Sequence, residues 1–394
     1  MELSLGDVFQ ALRGPRRAAR LARSLHGRAD RELTVSGVRL VWRWREARAV
    51  LADRSQSCKA PDTALAGLPD GPFRRHNAAT LAFMDPPRHT RVRQVLAASF
   101  THDAVAALTR RVDERASALV RDAVRRESVD LVDDLAAVLP MRVICDLLGE
   151  PARASAVLRQ AASAVTRGLE PGAGPARLAA ADAAVEAMTA RLRRRVEDGG
   201  RGLFAVLAGA VREGCLSPEE ALHQAIFMLN AGHETTARVI AAACRRLTDQ
   251  PGLAKAVRER TVTAEAVVEE TLRLHPPLQI VFRHRSEAQG RDEASRRQAI
   301  VLVIHAANRD PEVFARPHRF DAGRANARQH LSFAAGPHTC LGANLARIEA
   351  AAAVRALADA QIDARPAGRA RHGAGPVFGG YESLPMRLVS SAQT

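Results

Sequence analysis

Residues 333–342 read Phe333-Ala-Ala-Gly336-Pro-His338-Thr-Cys340-Leu-Gly342, and the surroundings of the cysteine decide how the chain is read. One glycine, Gly336, precedes Cys340 and a second, Gly342, follows it. Glycines at such places permit a tight turn and a close approach of backbone to another group. From Ala343 to about Ala358 the sequence is rich in alanine and predicts a helix. The N–H groups at a helix start, with the positive end of its dipole, favour a thiolate over a thiol. Phe333 places an aromatic ring beside the sulfur. A lone cysteine near a helix start is ordinarily a small buried hydrophobe. The joint pattern of Phe, Gly, His, Cys and Gly instead describes a loop that presents sulfur to a flat ligand.

Upstream, the clearest helix of the sequence begins at Ser217, a capping residue, with Pro218 in first position and Glu220 completing a capping box. It runs to about Gln250, where Pro251 and Gly252 are expected to stop it. At the helical rise it spans roughly 45–50 Å, long enough to cross a whole domain. Its middle reads Ala231-Gly-His-Glu234-Thr235-Thr236. The small pair Ala231–Gly232 lets the helix lie close over a ring. The Thr235 hydroxyl can bond a carbonyl one turn back and open the helix locally, and Glu234 adds a carboxylate beside it.

The two stretches together resemble the cytochrome P450 family. Its haem-binding loop has the pattern Phe-x-x-Gly-x-His-x-Cys-x-Gly, which residues 333–342 meet at every fixed position. Many members carry a further glycine after the phenylalanine, where this chain has Ala334. The resemblance implies haem b held through Cys340 as the metal ligand, with Phe333, Gly336, Gly342 and Ala231 around it. A thiolate ligand pushes electron density onto iron and suits cleavage of an O–O bond. Glu234 and Thr235 resemble the acid–alcohol pair that relays protons to bound oxygen. Asp85-Pro-Pro-Arg-His89-Thr-Arg-Val-Arg93 is similar to the family's helix after its first long loop, and places His89 and Arg93 one turn apart. With Arg283 and His338 they make four candidate partners for the haem propionates. Glu270-Thr-Leu-Arg273 resembles the family's Glu-x-x-Arg motif, joined by an arginine from a later irregular segment; Pro317-His-Arg319-Phe320 fits that segment, so Arg319 is expected as the third member. One departure is Ala288–Gln298, which lacks the family's usual Ile-Pro-x-Gly hairpin.

The remainder is mainly helical with small β-sheets, and no linker or internal repeat divides residues 1–394, so one domain is expected. A hairpin is predicted within residues 33–45 about Gly37, a short helix from Glu46 to Asp53, and a long loop over 59–82. Helix follows helix from Thr101 to about Arg212, interrupted at Gly168–Pro175. A helix near Glu265–Leu274 precedes a β-rich stretch at Ala299–Ile304, and a tail hairpin is expected around Gly379–Gly380.

The net charge is +15, almost wholly from arginine, since Lys59 and Lys255 are the only lysines. The arginines are dispersed, without interleaved aromatic residues or a nucleic-acid motif, which argues for solvated helix faces over a nucleic-acid footprint. An acidic protein partner remains compatible with the charge. Five cysteines, Cys58, Cys145, Cys215, Cys244 and Cys340, show no metal-finger spacing and suggest a reducing compartment. No apolar run is long enough to span a membrane, so a soluble, cytoplasmic protein is expected.

The reading is therefore a bacterial-type haem-thiolate monooxygenase acting on a largely apolar small molecule. Phe227, Asn230, Gln279, Val281 and Phe378 are the expected pocket residues. Electrons are expected from a separate ferredoxin or flavoprotein, because no reductase segment or Gly-rich dinucleotide fingerprint is found. A peroxide-driven haem-thiolate enzyme is the alternative, opposed by the intact Glu234–Thr235 pair. Further off lie a non-enzymatic haem protein and a basic nucleic-acid binder, the latter revealed by salt-dependent DNA binding.

Overall fold

The capping signals read at Ser217 are met in the computed structural model, which describes residues 3–58, 65, 67–285 and 299–390. The Ser217 hydroxyl accepts from Glu220 N at 3.1 Å, and the Glu220 carboxylate accepts from Ser217 N at 3.0 Å. In chain order the elements are α1 (Leu5–Leu12), α2 (Pro15–His26), β1 (Glu32–Val35), β2 (Val38–Val41), α3 (Trp44–Ala52), β3 (Gln56–Ser57), α4 (Pro72–Ala78), α5 (Arg88–Ala97), α6 (His102–Arg126) and β4 (Ser128–Asp130). There follow α7 (Val138–Leu148), α8 (Ser155–Gly168), α9 (Pro175–Asp198), α10 (Leu203–Arg212), α11 (Pro218–Asp249), α12 (Pro251–Arg258), α13 (Ala264–Leu274), β5 (Val281–Arg285), β6 (Ala299–Leu302) and α14 (Ile304–Ala307). The chain closes with α15 (Ala343–Asp359), β7 (Ile362–Pro366), β8 (Arg371–His372), β9 (Tyr381–Ser383) and β10 (Pro385–Ser390).

The 32-residue α11 is the spine, packed by α7, α8, α9, α13 and α15. Its buried residues join the largest apolar cluster, with α6, α7, α9 and α15 supplying most of the rest. Among the described residues the strands form three small sheets, ordered β1-β2-β6-β5-β3, β4-β10-β7 and β8-β9. The β1–β2 hairpin turns on Ser36 and Gly37, both at positive φ, which matches the twist of the flanking strands. A second apolar cluster joins α1 and α2 to Trp42, Ile280 and Phe378.

The long helix stops where expected: α11 ends at Asp249, and Pro251 takes the first position of α12, where its missing N–H costs nothing. Other expectations change. The stretch 59–82 is not irregular throughout: Pro72 starts α4, Phe73 is buried beneath it, and a 3₁₀ turn covers Leu81–Phe83. Gln224 of α11 pins this segment, accepting from Leu81 N at 3.0 Å and donating to the Ala79 carbonyl at 2.7 Å. The tail hairpin is formed by antiparallel β8 and β9 with a longer connection than expected; Gly379 and Gly380 end that connection, where Gly380 has a φ of +126° and packs on Arg238. Helices α1 and α2 were not anticipated, although Ser4 caps the first with Asp7 and Pro15 opens the second. The departure noted at Ala288–Gln298 and residues 59–64 and 66 of the early loop lie outside the described residues. No helix among the described residues is long and apolar enough to cross a membrane.

Candidate active site

The Cys340 loop owes its shape to one left-handed glycine and one strained alanine. Gly336 has a φ of +71°, and a Cβ there would lie 2.6 Å from the Leu51 carbonyl oxygen and the Ala52 Cα, so the loop's contact with α3 demands glycine. Ala334 also lies at positive φ, +59°, where a Cβ is disfavoured. The turn closes with Cys340 N donating to the Phe333 carbonyl at 2.9 Å. Cys340 is accessible, yet enough protein surrounds it that burial pushes its thiol up. Both hold for a side chain that lines an internal recess. The Gly342 N–H and the guanidinium groups of Arg93 and Arg347 act in the opposite direction, toward the thiolate.

The four cationic candidates converge beside this loop. The rings of His89 and His338 lie 4.1 Å apart between centroids, and Arg93 donates to the Thr339 carbonyl at 2.8 Å. Arg283 is buried on β5 and donates to the Phe282 carbonyl at 2.8 Å. Burial, with Arg283 and His89 nearby, pushes His338 down to about 3. Among the described residues neither Arg93 nor Arg283 forms an ion pair, and His89 Nε2 is buried without a hydrogen-bond partner. Asp85 acts on both histidines but forms no ion pair with either arginine among the described residues, and the two propionates of haem b fit the set. Gly342 fits as well: a Cβ there would meet only the Phe100 ring, at 3.8 Å, so room remains beside the sulfur for a flat group.

Glu270 and Arg273 form the expected buried ion pair through two contacts of 2.7 Å. The third member is Arg324 and not Arg319. Arg324 Nε reaches both Glu270 oxygens at 3.1 and 3.2 Å, whereas Arg319 is exposed and offers Arg273 only its carbonyl. The turn at Asp321 and Gly323 carries Arg324 back under α13, and Asp321 N donates to Glu270 at 3.0 Å. Two arginines in one irregular segment gave no sequence signal for choosing between them.

On α11, Phe227, Asn230, Ala231, Glu234 and Thr235 are partly accessible between buried neighbours Ile226, Met228, Leu229, His233 and Thr236. Their three- and four-residue spacing marks a single face opening on space. The Thr235 hydroxyl donates to the Ala231 carbonyl at 2.8 Å, as the local-opening argument requires. Gly232 has another role: a Cβ there would meet Ile144 of α7 at 3.0 Å, so it serves helix packing and not closeness to a ring. Glu234 turns toward α8, accepting from the Ser163 hydroxyl and pairing with Arg238 at 3.5 Å. Burial opposes its charge, but Arg238, His233 and Ser163 outweigh it and hold the carboxyl below its ordinary value.

The remaining pocket candidates divide. Val281 is partly accessible on β5. Gln279 is a clamp: its amide donates to the carbonyls of Leu12 and Pro376 at 2.9 and 3.2 Å, so its polar end is not offered to a ligand. Phe378 is buried in the second apolar cluster. Its backbone N–H and that of Val377 donate to Glu170 at 2.9 Å each, and Arg238 donates to its carbonyl at 3.3 Å. Glu170 and Arg238, together with Glu269 beside the cysteine loop, were not singled out in the sequence. Only their neighbours carried motifs.

Comparison with known proteins assigns the class. The family model for cytochrome P450 matches residues 180–357. The monooxygenase PikC of Streptomyces venezuelae is 35% identical over 378 residues, covering 92% of this chain and 88% of that protein. The 6-deoxyerythronolide B hydroxylase of Saccharopolyspora erythraea is 33% identical, covering 81% of each. Among solved structures, CalO2 superposes with a TM-score of 0.86 at 28% identity, covering 96% of this chain and 98% of that one. The chain belongs to the cytochrome P450 family: it is a monooxygenase, an oxidoreductase that binds haem b through a cysteine thiolate.

Proposed function

We propose that this enzyme inserts an oxygen atom into a C–H bond of a largely apolar small molecule carrying a hydrogen-bonding group. We further propose that residues 1–394 act as one unit, that Cys340 is the iron ligand, and that electrons arrive from a separate ferredoxin or flavoprotein. The observation that carries the substrate reading is the accessible face of α11. There Phe227, Ala231 and Thr235 bracket Asn230, whose amide nitrogen and oxygen are both buried without a partner among the described residues. An unsatisfied buried amide costs roughly 1–3 kcal/mol, a cost a substrate carbonyl or hydroxyl would remove. The relative named as a 6-deoxyerythronolide B hydroxylase supports hydroxylation as the outcome. The peroxide-driven alternative is not favoured, since the relatives bear monooxygenase and hydroxylase names.

When bound, haem supplies oxygen activation, in which one atom of O₂ enters the substrate and the other leaves as water. The chain's own work is to hold the group and move protons. His89, Arg93, Arg283 and His338 would bind the propionates. The Thr235 hydroxyl donates to the Ala231 carbonyl, so its oxygen is free to accept, and it can pass a proton on only by giving up that bond. Glu234, held ionised by Arg238 and Ser163, is the neighbouring acid–base group that would exchange protons with solvent and with Thr235.

The test is a titration of the haem spin state with matched pairs of apolar compounds, with and without a carbonyl or hydroxyl. The oxygenated member of a pair should bind about five-fold tighter, the worth of one net hydrogen bond near 1 kcal/mol. Asn230→Leu should abolish the difference. Equal binding of the pairs by the unaltered enzyme would reject the role given to Asn230.

A further inference from the structure

Two adjacent glutamates on α13 face different parts of the molecule. Glu270 points to Arg273 and Arg324 and ties down the segment around Asp321. Glu269 points to the cysteine loop. One of its oxygens accepts from His330 Nε2 at 3.1 Å, and the other accepts from Arg347 Nε at 2.5 Å. Glu269 and His330 are almost fully buried, and Arg347 is half-buried. Burial works to raise the Glu269 carboxyl, but His330 and Arg347 hold it down to about 2, so it is charged.

What Glu269 holds is the arginine that acts on the Cys340 thiol and the histidine that stands with it against Phe333. Arg347, on the first turns of α15, lies with its guanidinium 4.5 Å from the Phe333 ring centroid. The His330 ring stands 5.6 Å from Phe333, tilted against it. Phe333 in turn receives the Cys340 N–H on its carbonyl. One carboxylate thus grips both partners of the Phe333 ring, whose backbone closes the Cys340 turn, and places a negative charge next to the arginine that acts on the sulfur.

We infer that Glu269 is a positioning residue for the Cys340 thiolate: it fixes Arg347 on Phe333 and offsets the arginine's charge, and so sets how strongly the sulfur donates to the iron. The inference rests on Cys340 being the haem ligand. Glu270, one residue away, has only the structural task, which is why the pair is repeated and not redundant.

The reduction potential of the haem-loaded protein tests this, measured by spectroelectrochemistry in Glu269→Gln, Arg347→Gln and the double variant. Reduction adds negative charge at the iron. Glu269→Gln leaves the arginine's charge unopposed and should raise the potential, increasing the equilibrium constant for one-electron reduction several-fold. Arg347→Gln should shift it in the opposite direction, and the double variant should return close to the parent. Opposite signs cannot come from general loosening of the loop. Unchanged potentials, or both single variants shifting the same way, would overturn the inference. If Glu269→Gln does not hold haem, Arg347→Gln alone decides, since an unaltered potential in that variant removes the electrostatic role. Failure of the underlying ligand assignment is distinct: the unaltered protein would then lack a thiolate-type ferrous carbon monoxide absorption.

Discussion

Around Cys340 the chain fixes rings and backbone with buried ions, whereas along α11 it leaves the buried Asn230 amide without a hydrogen bond among the described residues. On the first face Glu269 grips His330 and Arg347, Glu270 grips Arg273 and Arg324, and Arg93 reaches the Thr339 carbonyl. On the second, the Asn230 amide is buried without a partner among the described residues, and the Thr235 hydroxyl donates to its own helix. A region built to hold its shape without a ligand serves chemistry common to a family. A region that leaves hydrogen-bonding capacity unfilled serves recognition, because a substrate completes it.

The largest break in this contrast should come from Glu270→Ala or Arg273→Ala. Removing one member strands a buried charge, at about 3–5 kcal/mol, a large part of ordinary stability. Purified variants should contain little haem and melt far below the parent; unchanged melting and haem content would show that the pair does not hold the cysteine face together. Acid should come next. Burial holds His76, on α4 against α11, and His275, at the end of α13, down to about 3, so both are neutral in the fold. In the unfolded chain they take up protons below about pH 6.5. Their stabilising contribution is complete above that value and is lost as pH falls toward 3, at about 1.4 kcal/mol per pH unit for each. Denaturant midpoints should therefore fall steeply from pH 6.5 to 5, less so in His76→Gln; a flat profile would contradict the buried neutral assignment.

The same contrast governs what the sequence reveals. The Cys340 loop was legible because Gly336 answers a backbone contact with α3 that allows no substituent, and such needs leave fixed residues at fixed spacing. The capping box at Ser217 was legible for the same local reason. Arg324 was not, because its partner is 54 residues away and nothing local separates it from Arg319. Gln279 looked like a pocket residue by position, yet the carbonyls that consume its amide belong to Leu12 and Pro376, brought there only by the tertiary fold. Helix α4 was obscured by the Pro- and Gly-rich composition around it, although its anchor, Gln224, lies on α11.

Two smaller effects sharpen the comparison. Thr235→Ala should leave haem and substrate binding intact and lower product formed per reducing equivalent, with released peroxide rising in proportion, if the hydroxyl passes the proton as proposed. Full coupling in that variant would reduce Thr235 to a helix-packing residue. Ala334→Gly should relieve the left-handed strain in the cysteine loop. The relief of about 1–2 kcal/mol is offset in part by the greater freedom of glycine in the unfolded chain, leaving a gain of up to about 1 kcal/mol in thermal unfolding. A loss of stability would mean that the alanine methyl makes packing contacts worth more than the strain.

The chemistry depends on the Cys340 sulfur, and the direct test is the absorption of the reduced carbon monoxide complex of Cys340→Ser beside that of the parent. The parent should show the thiolate-type band, and the variant should lose it while its helical circular dichroism is retained. A variant that keeps the thiolate-type band would mean that another residue holds the iron, and would contradict the reading of residues 333–342 as the haem loop.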